Sequence, residues 1–260
     1  MTARQNRPMT TNLPAVATML AGLVLLLLAG SRWRDNGWGA LVWLLVMAAM
    51  FAIRTPHAWR NRVNAVVEAR KDRTEITLLT AMFLTMMVLP LVHLATGLFA
   101  FADYRFPEWA TWIGALVQIP FLWLFWRSHA DLGRNWSPGL EVHEDHALVT
   151  KGVYARVRHP MYTAIWISAL VQPLLVHNWI AGFLVVPAFA AMWFIRVPNE
   201  EAMMRARFGV AYDDYCRRAG RLLPRRVMTS REGAGAAPSM SVSGRDRERD
   251  ERQWTTKDKG

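Results

Sequence analysis

The sequence predicts an all-α, polytopic integral membrane protein with five or six transmembrane helices. Long uncharged apolar runs alternate with short charged connectors, which is typical of membrane-spanning helices rather than of a soluble core. The chain has 260 residues and a net charge of +11, and its positive residues lie between and after the apolar runs. This placement indicates contact with a lipid bilayer and argues against a nucleic-acid partner. The single cysteine excludes an intramolecular disulfide and a multi-cysteine metal site. No metal is expected.

The apolar runs mark the predicted spans. Four are single spans and the last is long enough for two; their bounds are 14–30, 38–53, 76–101, 109–126 and 161–197. His177 and Asn178 form a polar turn near the middle of the last run, which predicts a helical hairpin. The first run follows a basic start and ends in small residues, so a cleaved signal peptide is the alternative and would leave five spans. The second run is short for a span.

The rest of the chain divides around these spans. Residues 1–13 and 225–260 are polar and are expected to be disordered, the second as a basic tail. Residues 14–127 are predicted to hold the N-terminal transmembrane helices. Residues 128–224 are predicted to form a core that contains a connector, the hairpin and a C-terminal amphipathic helix.

The positive charges of the connectors predict the orientation. The connector after the second run is rich in Lys and Arg: Arg54, Arg60, Arg62, Arg70, Lys71 and Arg73. The stretch 127–160 carries another such group: Arg127, Arg134, Lys151, Arg156 and Arg158. The connectors that would lie on the other side are poorer in positive charge. Because cytoplasmic loops are enriched in Lys and Arg, both termini are predicted to be cytoplasmic, in a bacterial-type inner membrane.

The stretch 146–162 is a polar, basic connector that ends in Arg158-His159-Pro160, where the last apolar run begins. Proline is favoured at the first position of a helix, and the free amides of that helix end attract anions. Arg158 adds a planar fork that suits a carboxylate or a phosphate. The residues therefore predict an anion-binding position, with a basic loop that touches lipid headgroups as the alternative.

A further helix is predicted where the hairpin ends. Pro198, Asn199, Glu200 and Glu201 form a helix-start signature, with a proline, a capping residue and acids in the first turn. Apolar residues then recur at spacings of three and four: Met204, Phe208, Tyr212 and Tyr215. This stripe predicts an amphipathic helix on the cytoplasmic face of the membrane, with an interruption at Gly209.

The hairpin is expected to bring the two polar segments together, because it returns its exit close to its entry. Arg158 and His159 would then lie near Glu200 and Glu201. Such a group offers a cation for a carboxylate and carboxylates for an amine or a ribose, which matches the polar ends of a nucleoside such as S-adenosylmethionine. In the alternative, Arg196 pairs with Glu200 four residues on, and Glu201 is a solvated residue at a helix start.

Two sets of residues carry a resemblance to a known family. The first set is Leu132-Gly133-Arg134-Asn135-Trp136-Ser137, followed by His146, Leu148, Val149, Thr150, Gly152, Tyr154, Val157, Arg158, His159, Pro160 and Tyr162. The second set is Glu200, Glu201, Phe208, Gly209, Tyr212, Tyr215, Leu223 and Pro224. In this order and spacing, the two sets resemble the isoprenylcysteine carboxyl methyltransferase family and the related phospholipid methyltransferases. Two departures are Val153, where the family often has proline, and Pro198, which is expected to affect where the final helix begins.

The resemblance implies an integral membrane methyltransferase that binds S-adenosyl-L-methionine at its cytoplasmic face. It implies that a group of connector residues borders the cofactor: His146, Leu148, Val149, Gly152 and Tyr154. It implies that a second group holds the amino-acid and ribose ends of the cofactor: Arg158, His159, Tyr162 and Glu201. The catalytic residues nearer to the acceptor would be Arg196 and Glu200.

The acceptor is expected to be lipophilic or a small molecule reached from the bilayer. A carboxylate acceptor is already ionised and needs no base, and an arginine can orient it. A thiol or an amine would have to lose a proton, which Glu200 could accept. The alternative function is a small transporter or a non-catalytic membrane scaffold that keeps the motifs for structure.

Overall fold

The computed structural model describes residues 13–61, 66–69, 73–133, 141–143 and 147–225, and over these residues the chain is helical apart from two short strands. The elements of this part of the chain follow in order: α1 (Leu13–Ser31), α2 (Trp33–Asn36), α3 (Trp38–Asn61), β1 (Val66–Ala69), α4 (Arg73–Phe83), α5 (Leu89–Thr96), α6 (Glu108–Leu132), β2 (Glu141–His143), α7 (Pro160–Leu175), α8 (Val185–Phe208) and α9 (Val210–Arg218). The predicted all-α fold is confirmed.

The helices include the predicted membrane spans. In the described part of the chain, four helical segments are long and apolar enough to cross a membrane: Trp38–Trp59, Arg73–Thr96, Glu108–Leu132 and Trp179–Phe208. Two shorter apolar helices accompany them, Thr18–Ser31 and Pro160–Leu175. Large apolar side chains such as Leu45, Leu116 and Phe194 are exposed, as expected of helices that face lipid. The polytopic membrane fold is confirmed, and the predicted count of five or six spans depends on the two shorter helices.

The third span is interrupted by a π-helical segment, Leu84–Val88, between α4 and α5. Gln172 of α7 is buried beside it and donates from Nε2 to the carbonyl oxygens of Thr85 and Ala181, each at 3.1 Å. Its Oε1 accepts from Trp43 Nε1 of α3 at 3.4 Å. The buried amide therefore joins α7 to α3, to the third span and to Ala181 after the hairpin turn, which is a common use of a polar side chain within a membrane bundle.

Two spans are longer than the sequence predicts. The second run was expected to be short and to end at Ile53, but α3 continues through Pro56 to Asn61. A proline removes one backbone hydrogen bond, and helices in membranes tolerate this where neighbouring groups compensate. Residues 127–132 were expected to begin the connector but belong to α6. Arg127 and Asp131 pair four residues apart there at 2.7 Å, which favours the helix.

The hairpin turns where the sequence predicts, at His177 and Asn178. The side-chain oxygen of Asn178 accepts from the backbone amides of Ile180 and Ala181, at 2.9 and 2.7 Å, and so caps the π-helical segment Trp179–Phe183 that leads into α8. Its Nδ2 donates to Asp103 Oδ1 at 2.7 Å. The start of α7 and the last turns of α8 consequently meet at the opposite end of the hairpin, called the connector end below.

The predicted helix start at Pro198 is wrong, because α8 runs without a break from Val185 to Phe208. Asn199 does not cap a new helix; its Nδ2 donates back to the carbonyl of Ile195 at 2.9 Å. The chain breaks instead at Gly209, whose φ of +53° suits glycine, and α9 follows. The predicted interruption at Gly209 is confirmed.

The apolar face of α9 covers the connector. Tyr212 and Tyr215 are buried, and they pack with Leu148 and Ala219. The amphipathic pattern was correctly read, but this face contacts the protein itself, whereas a membrane contact was predicted.

Strands β1 and β2 pair in an antiparallel arrangement that the sequence did not predict, and they join the α3–α4 and α6–α7 connectors. Several other predictions fall outside the described residues: His146, the motif residues 134–137, and the expected disorder of residues 1–12 and 226–260. The division between residues 14–127 and 128–224 stays a prediction.

Candidate functional site

The connector that leads into α7 is anchored on the last turn of α6. Asp131 Oδ2 accepts from the backbone amide of Val153 at 2.8 Å, and Asp131 Oδ1 accepts from Arg127. Gly152 has a φ of +60°, and a Cβ at this position would overlap with the Asp131 carboxylate. Glycine is therefore required at residue 152 by backbone conformation and by space. Asp131 was missed by the sequence analysis, although its spacing of four from Arg127 was a local signal.

Tyr154 fixes the middle of the connector. Its hydroxyl donates to the carbonyl of Ser128 at 3.3 Å, and its own carbonyl accepts from the Tyr215 hydroxyl at 2.7 Å. Burial raises the pKa of both tyrosines, so both stay protonated and act as hydrogen-bond donors. Leu148 and Val149 are half-buried, and Leu148 packs against α9. Among the described connector residues, Gly152 and Tyr154 therefore contact α6, and Leu148 and Tyr154 contact α9.

A buried carboxylate lies at the connector end of the hairpin, with three nitrogen-bearing side chains around it. Glu201 is 1% exposed, and its Oε1 accepts from Arg158 Nε and Nη2 at 3.4 and 3.2 Å. His159 Nε2 lies 3.1 Å from the same oxygen. Arg221 donates from Nε to Oε1 at 3.0 Å and from Nη2 to Oε2. We call these four residues the Glu201 cluster.

Arg158 also ties this cluster to the C-terminal end of α9. Its Nη1 donates to the carbonyl oxygens of Cys216 and Ala219, at 3.1 and 2.7 Å. These carbonyls lie at the negative end of the α9 dipole, which favours a cation. Four donor contacts consequently hold the guanidinium of Arg158 in place.

The backbone after α9 runs beside the connector and completes the cluster. Val157 and Gly220 form a parallel bridge, and the amide of Arg158 donates to the carbonyl of Gly220 at 2.7 Å. The amide of His159 donates to the carbonyl of Arg221 at 3.1 Å. Two distant segments, residues 156–159 and 219–221, are therefore joined by main-chain hydrogen bonds.

Glu200 lies beside the Glu201 cluster in a more open position. Its Oε2 accepts from the Tyr162 hydroxyl at 2.9 Å, and its Oε1 is 4.0 Å from His159 Nδ1. The Glu200 side chain is 31% exposed, against 1% for Glu201. The rings of Tyr162 and His159 meet edge to face, 5.6 Å apart. The predicted meeting of Arg158 and His159 with Glu200 and Glu201 is thus present in the structure.

Arg196 pairs with a residue that the sequence analysis did not single out. Its Nη2 lies 3.3 Å from Glu75 Oε1 of α4, and both side chains are less than a tenth exposed. The alternative expectation of a pair with Glu200 four residues on is therefore wrong. Among the described residues, no hydrogen-bond acceptor reaches the buried Nε of Arg196. In the sequence, Glu75 is an acidic residue near the start of a helix, which is common, so no local signal predicted its contact with Arg196.

Comparison with known proteins adds to this geometry. The sequence model of the isoprenylcysteine carboxyl methyltransferase family matches residues 122–206, which include Arg158, His159 and the Arg196–Glu201 segment. The protein-S-isoprenylcysteine O-methyltransferase of Schizosaccharomyces pombe is 38% identical over 72 residues, a match that covers 28% of this chain and 30% of the relative. The probable enzyme of that name from Oryza sativa subsp. indica is 24% identical over 189 residues, which cover 71% of this chain and 96% of the relative. These matches support the resemblance to the isoprenylcysteine carboxyl methyltransferase family, most directly over residues 122–206.

A solved structure of the eukaryotic intramembrane Ras methyltransferase of this family is also similar. The likeness covers 82% of this chain and 87% of that chain, with 20% identity and a TM-score of 0.39. The motif resemblance seen in the sequence is confirmed by the family match, and the expectation of a membrane methyltransferase is confirmed at the level of the family. The matched segment ends at residue 206, so α9 and Arg221 lie beyond it.

Proposed function

We propose that this protein is an integral membrane enzyme that transfers a methyl group from S-adenosyl-L-methionine to a lipid-like or membrane-accessible acceptor. The observation that supports it most is the Glu201 cluster, a buried carboxylate among three nitrogen-bearing side chains, with Glu200 and Tyr162 beside it. The cluster joins the two halves of the family motif at one end of an apolar hairpin.

The side chains at this end of the hairpin fit the polar parts of the cofactor. An amino-acid group carries an ammonium and a carboxylate, and the cluster offers a carboxylate together with guanidinium groups. Arg158, His159, Tyr162 and Glu201 would hold its amino-acid and ribose ends. Connector residues would border the rest: His146, Leu148, Val149, Gly152 and Tyr154.

When bound, S-adenosyl-L-methionine supplies a methyl group on a sulfonium, which is open to direct displacement. The task of the chain's own residues is therefore alignment and exclusion of water rather than covalent chemistry. His159 and Tyr162 suit this task, because both rings are buried and pack edge-on against Trp193. They give the site rigid, apolar walls beside its charged groups.

Arg196 and Glu200 would act on the acceptor. They lie four residues apart on α8, and the buried Nε–H of Arg196 could donate a hydrogen bond to an oxygen of the ligand. An acceptor that carries an ionised carboxylate would need only to be oriented by this hydrogen bond. A thiol or amine would need a base, and Glu200 is the more accessible of the two carboxylates.

The first experiment replaces Glu200 by Gln, which keeps the size of the side chain and removes its charge. If Glu200 positions or deprotonates the acceptor, methyl transfer should fall by about a hundredfold or more while the protein folds normally. The measurement is incorporation of a tritiated methyl group from S-adenosyl-L-methionine into total membrane lipid and small thiols, at equal expression. Glu108→Gln, at an exposed glutamate in the first turn of α6, is the matched control and should keep full activity.

Calorimetry with S-adenosylhomocysteine on the purified protein tests the donor. Binding by the wild type is expected. If the wild type neither binds this ligand nor incorporates the methyl group, the proposal fails and the scaffold or transporter alternative is favoured. If Glu200→Gln keeps full methyl transfer, the assignment of Glu200 to the acceptor fails alone.

A further inference from the structure

Arg221 is the member of the Glu201 cluster that the sequence analysis did not single out. It lies three residues beyond the end of α9 and outside the segment that matches the family. Its guanidinium contacts both oxygens of Glu201, Oε1 through Nε and Oε2 through Nη2. Arg158 and His159, in contrast, contact only Oε1. In the described residues Arg221 is therefore the partner that covers Glu201 Oε2.

The three partners of Glu201 differ in how firmly they are held. The side chain of Arg158 is 12% exposed and that of His159 is 6% exposed, and Arg158 is also fixed by two carbonyl groups. The side chain of Arg221 is 48% exposed, and within the described part of the chain its guanidinium contacts Glu201 alone. Arg221 is thus the partner that can leave Glu201 with the least loss of other contacts.

The base of the Arg221 side chain stays in place when its tip moves. The carbonyl of Arg221 accepts from the His159 amide, and the neighbouring Gly220 is hydrogen-bonded to the connector through its amide and its carbonyl. Because Arg221 is half exposed, water can solvate its guanidinium when it leaves Glu201. Glu201 is buried and keeps Arg158 and His159 at Oε1, but its Oε2 then needs a new donor, which the ammonium group of a ligand can supply.

We infer that Arg221 holds the place of the cofactor's α-ammonium group at Glu201 until the cofactor binds, and that its guanidinium then binds the α-carboxylate of the same molecule. This inference rests on the proposed function. The zwitterionic end of the ligand enters between Arg221 and Glu201, so that each of its charges meets a group of opposite sign. One internal ion pair is exchanged for two, and the net charge of the site is unchanged. The planar fork of an arginine suits a carboxylate in particular.

The test compares two ligands that differ only in the amino-acid end. S-adenosylhomocysteine carries this end, and 5′-deoxy-5′-methylthioadenosine keeps the nucleoside and the thioether without it. In calorimetry on the full-length protein in detergent, Arg221→Gln should weaken S-adenosylhomocysteine binding by about ten- to a hundredfold. The same variant should bind methylthioadenosine as the wild type does. Arg218→Gln, at an exposed arginine near the end of α9, is the matched control and should bind both ligands normally.

Each other result overturns the inference in a recognisable way. Unchanged binding of S-adenosylhomocysteine means that Arg221 does not contact the cofactor. Tighter binding means that Arg221 only competes for Glu201 and does not receive the carboxylate. An equal loss for both ligands means that Arg221 supports the fold of the site and makes no specific contact. If the wild type itself does not bind S-adenosylhomocysteine, the proposed function fails together with this inference.

Discussion

Glu200 and Glu201 are neighbours in the sequence but have different environments in the structure. Glu201 is buried with three partners, whereas Glu200 is about a third exposed and accepts one hydrogen bond from Tyr162. A buried carboxylate is stable only when it is paired, so the partners of Glu201 belong to the fold as well as to the proposed site. Glu200 has no such structural demand, which makes it the better residue for testing chemistry without disturbing the fold.

Gly152 gives a prediction at the same scale. Gly152→Ala forces an unfavourable φ and pushes the new methyl group into Asp131, which would then lose its bond to the Val153 amide. The expected loss of unfolding free energy is about 3 kcal/mol, from backbone strain and a charged hydrogen bond together. Gly97→Ala is the control, since Gly97 also has a positive φ but only ordinary contacts around it; its cost should be about 1 kcal/mol.

Thermal unfolding of the two glycine variants in detergent, followed by circular dichroism, measures this difference. The melting temperature of Gly152→Ala should fall clearly below that of Gly97→Ala. Equal melting temperatures would mean that Asp131 does not hold the connector.

At the scale of elements, α4 and α8 are joined by the buried pair of Glu75 and Arg196. The pair links the N-terminal helices to the helix that carries the acidic motif. Because removal of one partner leaves an uncompensated buried charge, this contact is more sensitive to mutation than the ion pairs on the surface. If Arg196 orients the acceptor as proposed, the contact with Glu75 would also position its side chain for this task.

Glu75→Gln should therefore lower the free energy of unfolding by about 3–5 kcal/mol. Asp213→Asn is the matched acid-to-amide control, because Asp213 pairs with Arg205 at 3.2 Å between side chains that are about half exposed; its effect should stay within about 0.5 kcal/mol. Thermal unfolding of both variants under identical detergent conditions provides the comparison. A similar small effect for both would show that the Glu75–Arg196 contact does not matter for stability.

At the scale of the whole molecule, the hairpin separates two polar ends. The turn at Asn178 contacts Asp103 between α5 and α6, and the connector end holds the Glu201 cluster together with the Glu75–Arg196 pair. The positive-inside rule predicts that the connector end faces the cytoplasm, because the basic connectors lead to it, and this orientation stays a prediction. This orientation would give the proposed site access to a cytoplasmic cofactor.

The orientation can be tested by labelling with a membrane-impermeant maleimide. The chain has one cysteine, so a Cys216→Ser background leaves no thiol. Phe101→Cys, at a highly exposed position between α5 and α6, should react in intact cells. Arg73→Cys, at the start of α4, should react only after the membrane is permeabilised. The reverse pattern would overturn the predicted orientation.

Features that depend on local pattern could be predicted from the sequence alone. Apolar run length predicted the helices, the polar pair His177-Asn178 predicted the hairpin turn, and the motif halves predicted that Arg158 and His159 would meet Glu201. The helices were predicted correctly because hydrophobicity acts on residues that are close along the chain. The meeting of Arg158 and His159 with Glu201 was predicted correctly because a single short hairpin brings its two ends together. The continuation of α8 through Pro198 was missed, because packing outweighed a local helix-start signature.

The long-range partners could not be predicted from the sequence and depend on how the helices pack. Arg196 has an acid four residues away but pairs with Glu75, which is far off in the sequence on α4. In the sequence, Arg221 is not distinguished from the other arginines near the basic tail. It contacts Glu201 because the backbone after α9 is hydrogen-bonded to the connector. A buried charge requires the partner that packing brings within reach, and sequence spacing does not encode that choice.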